Sequence, residues 1–130
     1  MEQSKPKTIL IVEDDQAVRQ GIAEVVQFCG WQVIEASNGV HGLELFKIHL
    51  PDIVLTDVVM DGLDGFQLTA RIKSINPRAA VILMTAFSTP NLREKVQSVG
   101  ASKFLCKPFE PEELLLALTR SLGSSASNQK

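Results

Sequence analysis

Four short strand-like runs in this chain each end in a residue able to do polar chemistry. Thr8-Ile9-Leu10-Ile11-Val12 leads into Glu13-Asp14-Asp15, and Ile53-Val54-Leu55-Thr56 leads into Asp57. Ala80 to Met84 is followed by Thr85, and Lys103 to Cys106 by Lys107. If the acidic ends meet, two carboxylates about 4 Å apart repel by roughly 4 kcal/mol at an effective dielectric near 20. A proton relieves this by raising one pKa. A hard divalent cation relieves it as well, and Mg2+ suits a few carboxylates supplemented by water and phosphate oxygens. No histidine or cysteine lies in the acidic loops, which argues against zinc. A lone Asp after a strand often only caps the next helix, and Asp15 is read that way. Capping does not account for all four strand ends together.

The elements that must position these residues alternate in type. Thr8 to Val12 is uniformly apolar after its first residue, as in a strand covered on both faces. Val18, Ile22, Val25, Val26 and Cys29 recur at helical spacing over Gln16 to Cys29, and Gly30 is placed to end that helix. A second strand is expected at Gln32 to Ala36, then a turn at Asn38-Gly39. A helix follows through Leu43, Phe46 and Ile48, stopping before Pro51. A Gly-rich acidic loop, Asp61 to Gly65, precedes a third helix from about Phe66 to Ile75, with Leu68 and Ile72 inward. Thr89-Pro90 reads as an N-cap and first turn for a fourth helix carrying Leu92, Val96 and Val99. The last helix starts near Pro111, with Glu112 and Glu113 in its first turn and Leu114, Leu115 and Leu118 inward. Strands alternating with helices imply a doubly wound parallel α/β sheet in a single domain, and the flavodoxin-like (βα)5 order 2-1-3-4-5 is preferred. In that order the first and third strands flank the switch point, so the two acidic ends face each other.

The chain's 130 residues suit one core. A formal net charge of −2 supplies no general basic field, so direct nucleic-acid binding is not expected. No apolar run approaches the roughly 20 residues of a membrane span, and the polar start lacks the centre of a signal peptide. A cytoplasmic location without membrane insertion is the expectation. Cys29 and Cys106 match no zinc or redox spacing and are read as small buried hydrophobes. His41 and His49 share a helix but not i, i+4 spacing, so they are read as surface residues. Arg71, Lys73 and Arg78 are read as a solvated face.

The pieces Ile9 to Asp15, Asp57-Val58-Val59-Met60, Asp64-Gly65, Thr85-Ala86 and Lys107-Pro108-Phe109, in this order and spacing, resemble the receiver domain of two-component response regulators, the CheY-like superfamily. The resemblance covers residues 8–122. Residues 1–7 are expected to be a disordered N-terminus and 123–130 a flexible tail or linker start. The resemblance implies that Asp57 is the phosphoacceptor. Asp14 would be a direct metal ligand, Glu13 would act on the metal, often through water, and Val59 would offer its backbone carbonyl. Thr85 and Lys107 would each hold a phosphoryl oxygen, and Lys107-Pro108 resembles the family's cis peptide. The implied metal is Mg2+ or Mn2+. The implied donor is a sensor histidine kinase or phosphotransfer protein. The implied response is a conformational switch in which Thr85 moves and an aromatic, here Phe104 where receivers often have Tyr, swings inward. Arg93 and Lys95 lie on the helix that in this family often meets partners, so the helix 4–strand 5–helix 5 face is the expected output surface, with Phe87, Phe104 and Cys106 at its border. A monomer or a phosphorylation-dependent dimer is expected. The chemistry agrees: a carboxylate is a competent nucleophile for an aspartyl phosphate, and phosphoryl transfer chiefly needs alignment and charge neutralisation.

One departure from the pattern is Asp61, where the family usually has Pro after Met60. The loop loses a fixed φ and gains a charge. Asp61 and Asp64 are therefore expected to bear on metal affinity or loop stiffness without abolishing phosphoacceptance. Rival functions fare worse. A haloacid-dehalogenase-like phosphohydrolase needs a second Asp two residues after the nucleophile, and that place is Val59. No P-loop motif is present. A flavin carrier is suggested by fold alone. A receiver that only binds partners is at odds with the full acid, Thr and Lys set. The expectation is a signalling phosphoacceptor rather than an enzyme acting on an external substrate.

Overall fold

The computed structural model describes residues 6–86 and 91–127, with side chains described to residue 122. The elements run β1 (Thr8–Val12), α1 (Gln16–Phe28), β2 (Gln32–Ala36), α2 (Gly39–His49), β3 (Ile53–Asp57), α3 (Gly65–Ile75), β4 (Ala80–Thr85), α4 (Leu92–Ser98), β5 (Lys103–Cys106) and α5 (Pro111–Ser127). All strand pairs are parallel, in the order β2-β1-β3-β4-β5. This is the expected doubly wound sheet.

Strand alternation divides the core into two layers. Ile9, Ile11, Ile53, Leu55, Ile82 and Met84 pack with the inward residues of α1 and α5. Leu10, Val12, Val54 and Val81 pack instead with Phe46 of α2 and with Leu68 and Ile72 of α3. A smaller cluster joins Leu83 of β4 to Leu92 and Val96 of α4. Glu13 continues the parity of Ile9 and Ile11, and Asp57 that of Ile53 and Leu55. The two acids therefore leave the sheet on the same side, at its C-terminal edge.

Several expectations need correction. Cys29 and Cys106 are both exposed. Cys29 is the C-cap of α1, and Cys106 ends an edge strand that has a neighbour on one side only. Val18, in the first turn of α1, and Ile48, which lies off the stripe that α2 presents to the sheet, are exposed. Asn38 is not half of a free turn. It is the N-cap of α2, and its side chain accepts the His41 N–H at 2.8 Å. Asp64 caps α3 in a reciprocal capping box. It accepts the Gln67 N–H at 2.8 Å, while the Gln67 side chain accepts the Asp64 N–H at 3.0 Å. Lys73 is half-buried rather than solvated, and its ammonium donates to the Ala79 carbonyl at 2.8 Å; burial lowers its pKa. The last helix continues to Ser127, past the expected boundary at Leu122. No proline interrupts Gly123 to Ser127, and one glycine costs a helix only about 1 kcal/mol. Thr89-Pro90, Phe87, residues 1–5 and residues 128–130 lie outside the described residues. As expected, His41, His49, Arg71 and Arg78 are exposed, and Asp15 caps α1 by accepting the Val18 N–H at 3.1 Å.

Candidate functional site

The polar residues at the sheet's C-terminal edge converge. Each follows directly from the backbone ladder. The Glu13 N–H donates to Ala36 at 3.1 Å, the Val58 N–H to Met84 at 2.9 Å, and the Lys107 N–H to Thr85 at 2.8 Å. Their spacing is thus fixed by strand register rather than by loop conformation. Glu13 is 1% exposed and Asp57 6%, while Asp14 is exposed. One carboxylate oxygen from each of Glu13, Asp14 and Asp57 lies within 4.8 Å of the others.

Lys107 reaches into this cluster from the end of β5. Its ammonium donates to Glu13 Oε1 at 2.8 Å and to Asp57 Oδ2 at 3.1 Å. Burial pulls the Lys107 pKa down, but its hydrogen bonds to Glu13 and Asp57 and their negative charge outweigh that pull, and the net shift is upward. The other oxygens of both acids are also held. The Val59 N–H donates to Asp57 Oδ1 at 3.3 Å, and the Asp15 N–H to Glu13 Oε2 at 3.0 Å. Lys107-Pro108 is cis.

Thr85 is buried at the end of β4, on the strand beside Asp57, whose register partner is Met84. Val59 is 53% exposed. Phe104 pairs in register with Leu83, is half-buried against the α4 cluster, and has the Arg93 guanidinium 5.8 Å from its ring centroid. Lys95 lies similarly over Phe66, at 5.2 Å. Gly65 begins α3 directly beneath the site. A Cβ there would overlap the Asp57 carbonyl oxygen and come to 2.8 Å from Val58 Cα, so the close approach requires glycine.

Glu13, Asp14, Asp57 and Lys107 are therefore brought together, with Thr85 on the adjoining strand. Asp64 stands apart as a cap. Arg19 went unnoticed in the sequence. Its Nη1 donates to the Glu13 carbonyl at 2.8 Å, and its Nε pairs with Glu35 at 3.0 Å. The signal was available, because Glu35 pairs in register with Ile11 two residues before Glu13, and Arg19 lies on the first turns of α1.

Three carboxylates and one ammonium leave two negative charges in the cluster, and every candidate donor is a hard oxygen. These residues fit a divalent cation of the Mg2+ or Mn2+ type.

A five-stranded 2-1-3-4-5 sheet with an acidic pocket and a lysine at its switch point is the architecture of a receiver. The response regulator receiver domain model matches residues 9–119, and the chain belongs to that family. It is 33% identical over 114 residues to sporulation initiation phosphotransferase F of Bacillus subtilis, covering 88% of this chain and 92% of that one. It is 36% identical over 115 residues to a cyclic di-GMP phosphodiesterase of Thermotoga maritima, covering 88% of this chain but 31% of that protein. It spans 55% of the transcriptional regulatory protein PdtaR of Mycobacterium tuberculosis, so it matches only part of several longer relatives. Among solved structures, the chemotaxis protein CheY4 of Vibrio cholerae superposes with a TM-score of 0.85 at 28% identity, over 90% of this chain and 99% of that one. The chain is a phosphoacceptor receiver domain of two-component signalling.

Proposed function

We propose that Asp57 is the phosphoacceptor and that Glu13, Asp14, Asp57 and the Val59 carbonyl hold Mg2+ or Mn2+ beside it. The observation that carries this reading is the Lys107 ammonium shared between Glu13 and Asp57, with Asp14 within 4.8 Å. It marks a point where negative charge is concentrated and partly neutralised on one nucleophile-bearing strand end.

An Asp57 carboxylate oxygen attacks the phosphorus of a phosphohistidine. The P–O bond forms as the P–N bond breaks, and the imidazole leaves with the electron pair. The Val59 N–H and Lys107 fix the rotamer of Asp57 before the reaction. Lys107 then keeps its charge for a phosphoryl oxygen, and Thr85 supplies a hydroxyl to another. A bound dication supplies neutralisation of the phosphoryl oxygens and of the carboxylates around them. Asp14 and Val59 are exposed, so the donor's approach is open.

The donor is a sensor histidine kinase or a phosphotransfer protein, and phosphorylation shifts Thr85 and Phe104 together. The α4–β5–α5 face carries the signal to a downstream target, by a monomer or a phosphorylation-dependent dimer. A cytoplasmic location is part of the same proposal. Self-catalysed transfer and autodephosphorylation are its only chemistry, without turnover of an external substrate.

Acetyl phosphate with Mg2+, read by intact mass beside an Asp57→Asn control, tests the assignment. A single phosphoryl adduct that needs Mg2+ and is lost in the control is expected. No adduct with any donor or metal, or an undiminished adduct in Asp57→Asn, overturns it.

A further inference from the structure

We infer that Arg19 is a positioning residue for the metal pocket, acting through the Glu13–Asp14 peptide. The inference rests on the reading that Asp14 helps to hold Mg2+. Arg19 sits in α1 with its side chain 15% exposed, and its guanidinium spans two acceptors: the Glu13 carbonyl at 2.8 Å and Glu35 of β2 at 3.0 Å. The Glu13 carbonyl belongs to the peptide plane that leads into Asp14. Among the described residues no hydrogen bond holds the Asp14 side chain, so its place depends on that backbone. Glu13 itself is secured at its N–H by Ala36 and at its two carboxylate oxygens by Lys107 and the Asp15 N–H. Its carbonyl is the remaining polar group, and Arg19 secures it. The planar fork suits this task, because it bonds the carbonyl with one nitrogen while Glu35 anchors another. Glu35 thus braces the arginine from the neighbouring strand.

The sign of the effect separates positioning from plain electrostatics. Arg19 is a cation near a cation site. Removing it strengthens Mg2+ binding if only its charge matters, because like charges repel. Positioning predicts the opposite: the Glu13–Asp14 peptide loses its tether and Mg2+ binds more weakly. The expected loss is about tenfold, at the low end of what removing an outer-shell partner costs a metal site.

Calorimetric titration of Mg2+ into the wild type, Arg19→Met and Asp14→Asn, with urea unfolding of each to establish that it is folded, tests this. Affinity about tenfold lower in folded Arg19→Met supports the inference. Wild-type or tighter affinity in that variant overturns it. Should Arg19→Met be too unstable to titrate, Arg19→Gln, whose amide nitrogen stands at the place of Nε and so keeps a donor for Glu35 while losing the Nη1 bond to the Glu13 carbonyl, carries the test with the same expected weakening of about tenfold and the same overturning result. Asp14→Asn separates the two readings. If it binds Mg2+ as the wild type does, the assignment of Asp14 to the metal fails and the role of Arg19 fails with it. If it loses affinity while the Arg19 variants do not, only the positioning role fails.

Discussion

Replacing Lys107 by Met keeps most of the side chain's length and removes its charge from between two buried acids. At an effective dielectric near 20, the ammonium attracts Glu13 at 2.8 Å by about 6 kcal/mol and Asp57 at 3.1 Å by about 5 kcal/mol. Desolvation of the three charged groups offsets most of that sum. What remains in Lys107→Met is the carboxylate repulsion, at least roughly 3 kcal/mol for oxygens within 4.8 Å. The variant is therefore expected to lose about 3–5 kcal/mol, the usual cost of removing one partner of a buried ion pair. Urea unfolding in EDTA measures it. Because the deficit is one of positive charge, Mg2+ should stabilise the variant, by about 2.7 kcal/mol at a hundred times its own dissociation constant. A loss below about 1 kcal/mol in EDTA, or a variant that Mg2+ does not stabilise, refutes this account of the pocket.

The raised Lys107 pKa has an alkaline signature. Its contribution to stability is complete below its ordinary value of 10.5 and is lost as pH climbs through the higher folded value, so the wild-type urea midpoint should fall there and the Lys107→Met midpoint should fall less. Gly65→Ala forces a Cβ against the Asp57–Val58 backbone and should cost about 3 kcal/mol or more with a marked drop in acetyl phosphate labelling; a variant as stable and active as the wild type contradicts the close approach. Asp64→Ala removes the α3 capping box and should lower stability by about 1 kcal/mol, a few degrees in Tm, while Mg2+ affinity stays within about twofold; a large Mg2+ effect contradicts a role confined to the cap.

The sheet was legible in the sequence because buried parallel strands are short continuous apolar runs. Thr8–Val12 falls where it was expected, and the runs from Ile53 and Ala80 each reach one residue further, to Asp57 and Thr85; the edge strands Gln32–Ala36 and Lys103–Cys106 also fall as expected, though their runs are mixed. The proximity of Glu13, Asp57 and Lys107 was legible as well, since topology alone carries the ends of β1, β3 and β5 to one edge. Exposure was harder to read. Ile48 and Val18 obey helical spacing loosely enough to look inward, and Cys106 was read as buried although the preferred strand order already put the short β5 at the sheet edge. Asp64 was read for its bearing on metal affinity or loop stiffness and not as a cap, because that role depends on Gln67, a partner recognisable only once the helix start is placed. Arg19 was passed over for a related reason: its partners follow β1 and lie in β2, so its signal sat in the register of Glu35 beside Ile11 and in no local motif.

The ladder bonds that hold Glu13, Val58 and Lys107 have a consequence for how the molecule tolerates change. The reactive groups inherit their separation from hydrogen-bonded backbone, at Ala36, Met84 and Thr85. An exposed helix residue such as Glu24 or Arg120 has no part in that spacing. New side chains can accumulate on the helices, altering which surface meets which molecule, while the reactive geometry stays as it was. A shift of strand register does the reverse: it leaves the outer surface nearly intact and moves the reactive groups apart. Partner choice and chemistry are in this way inherited separately within one small fold.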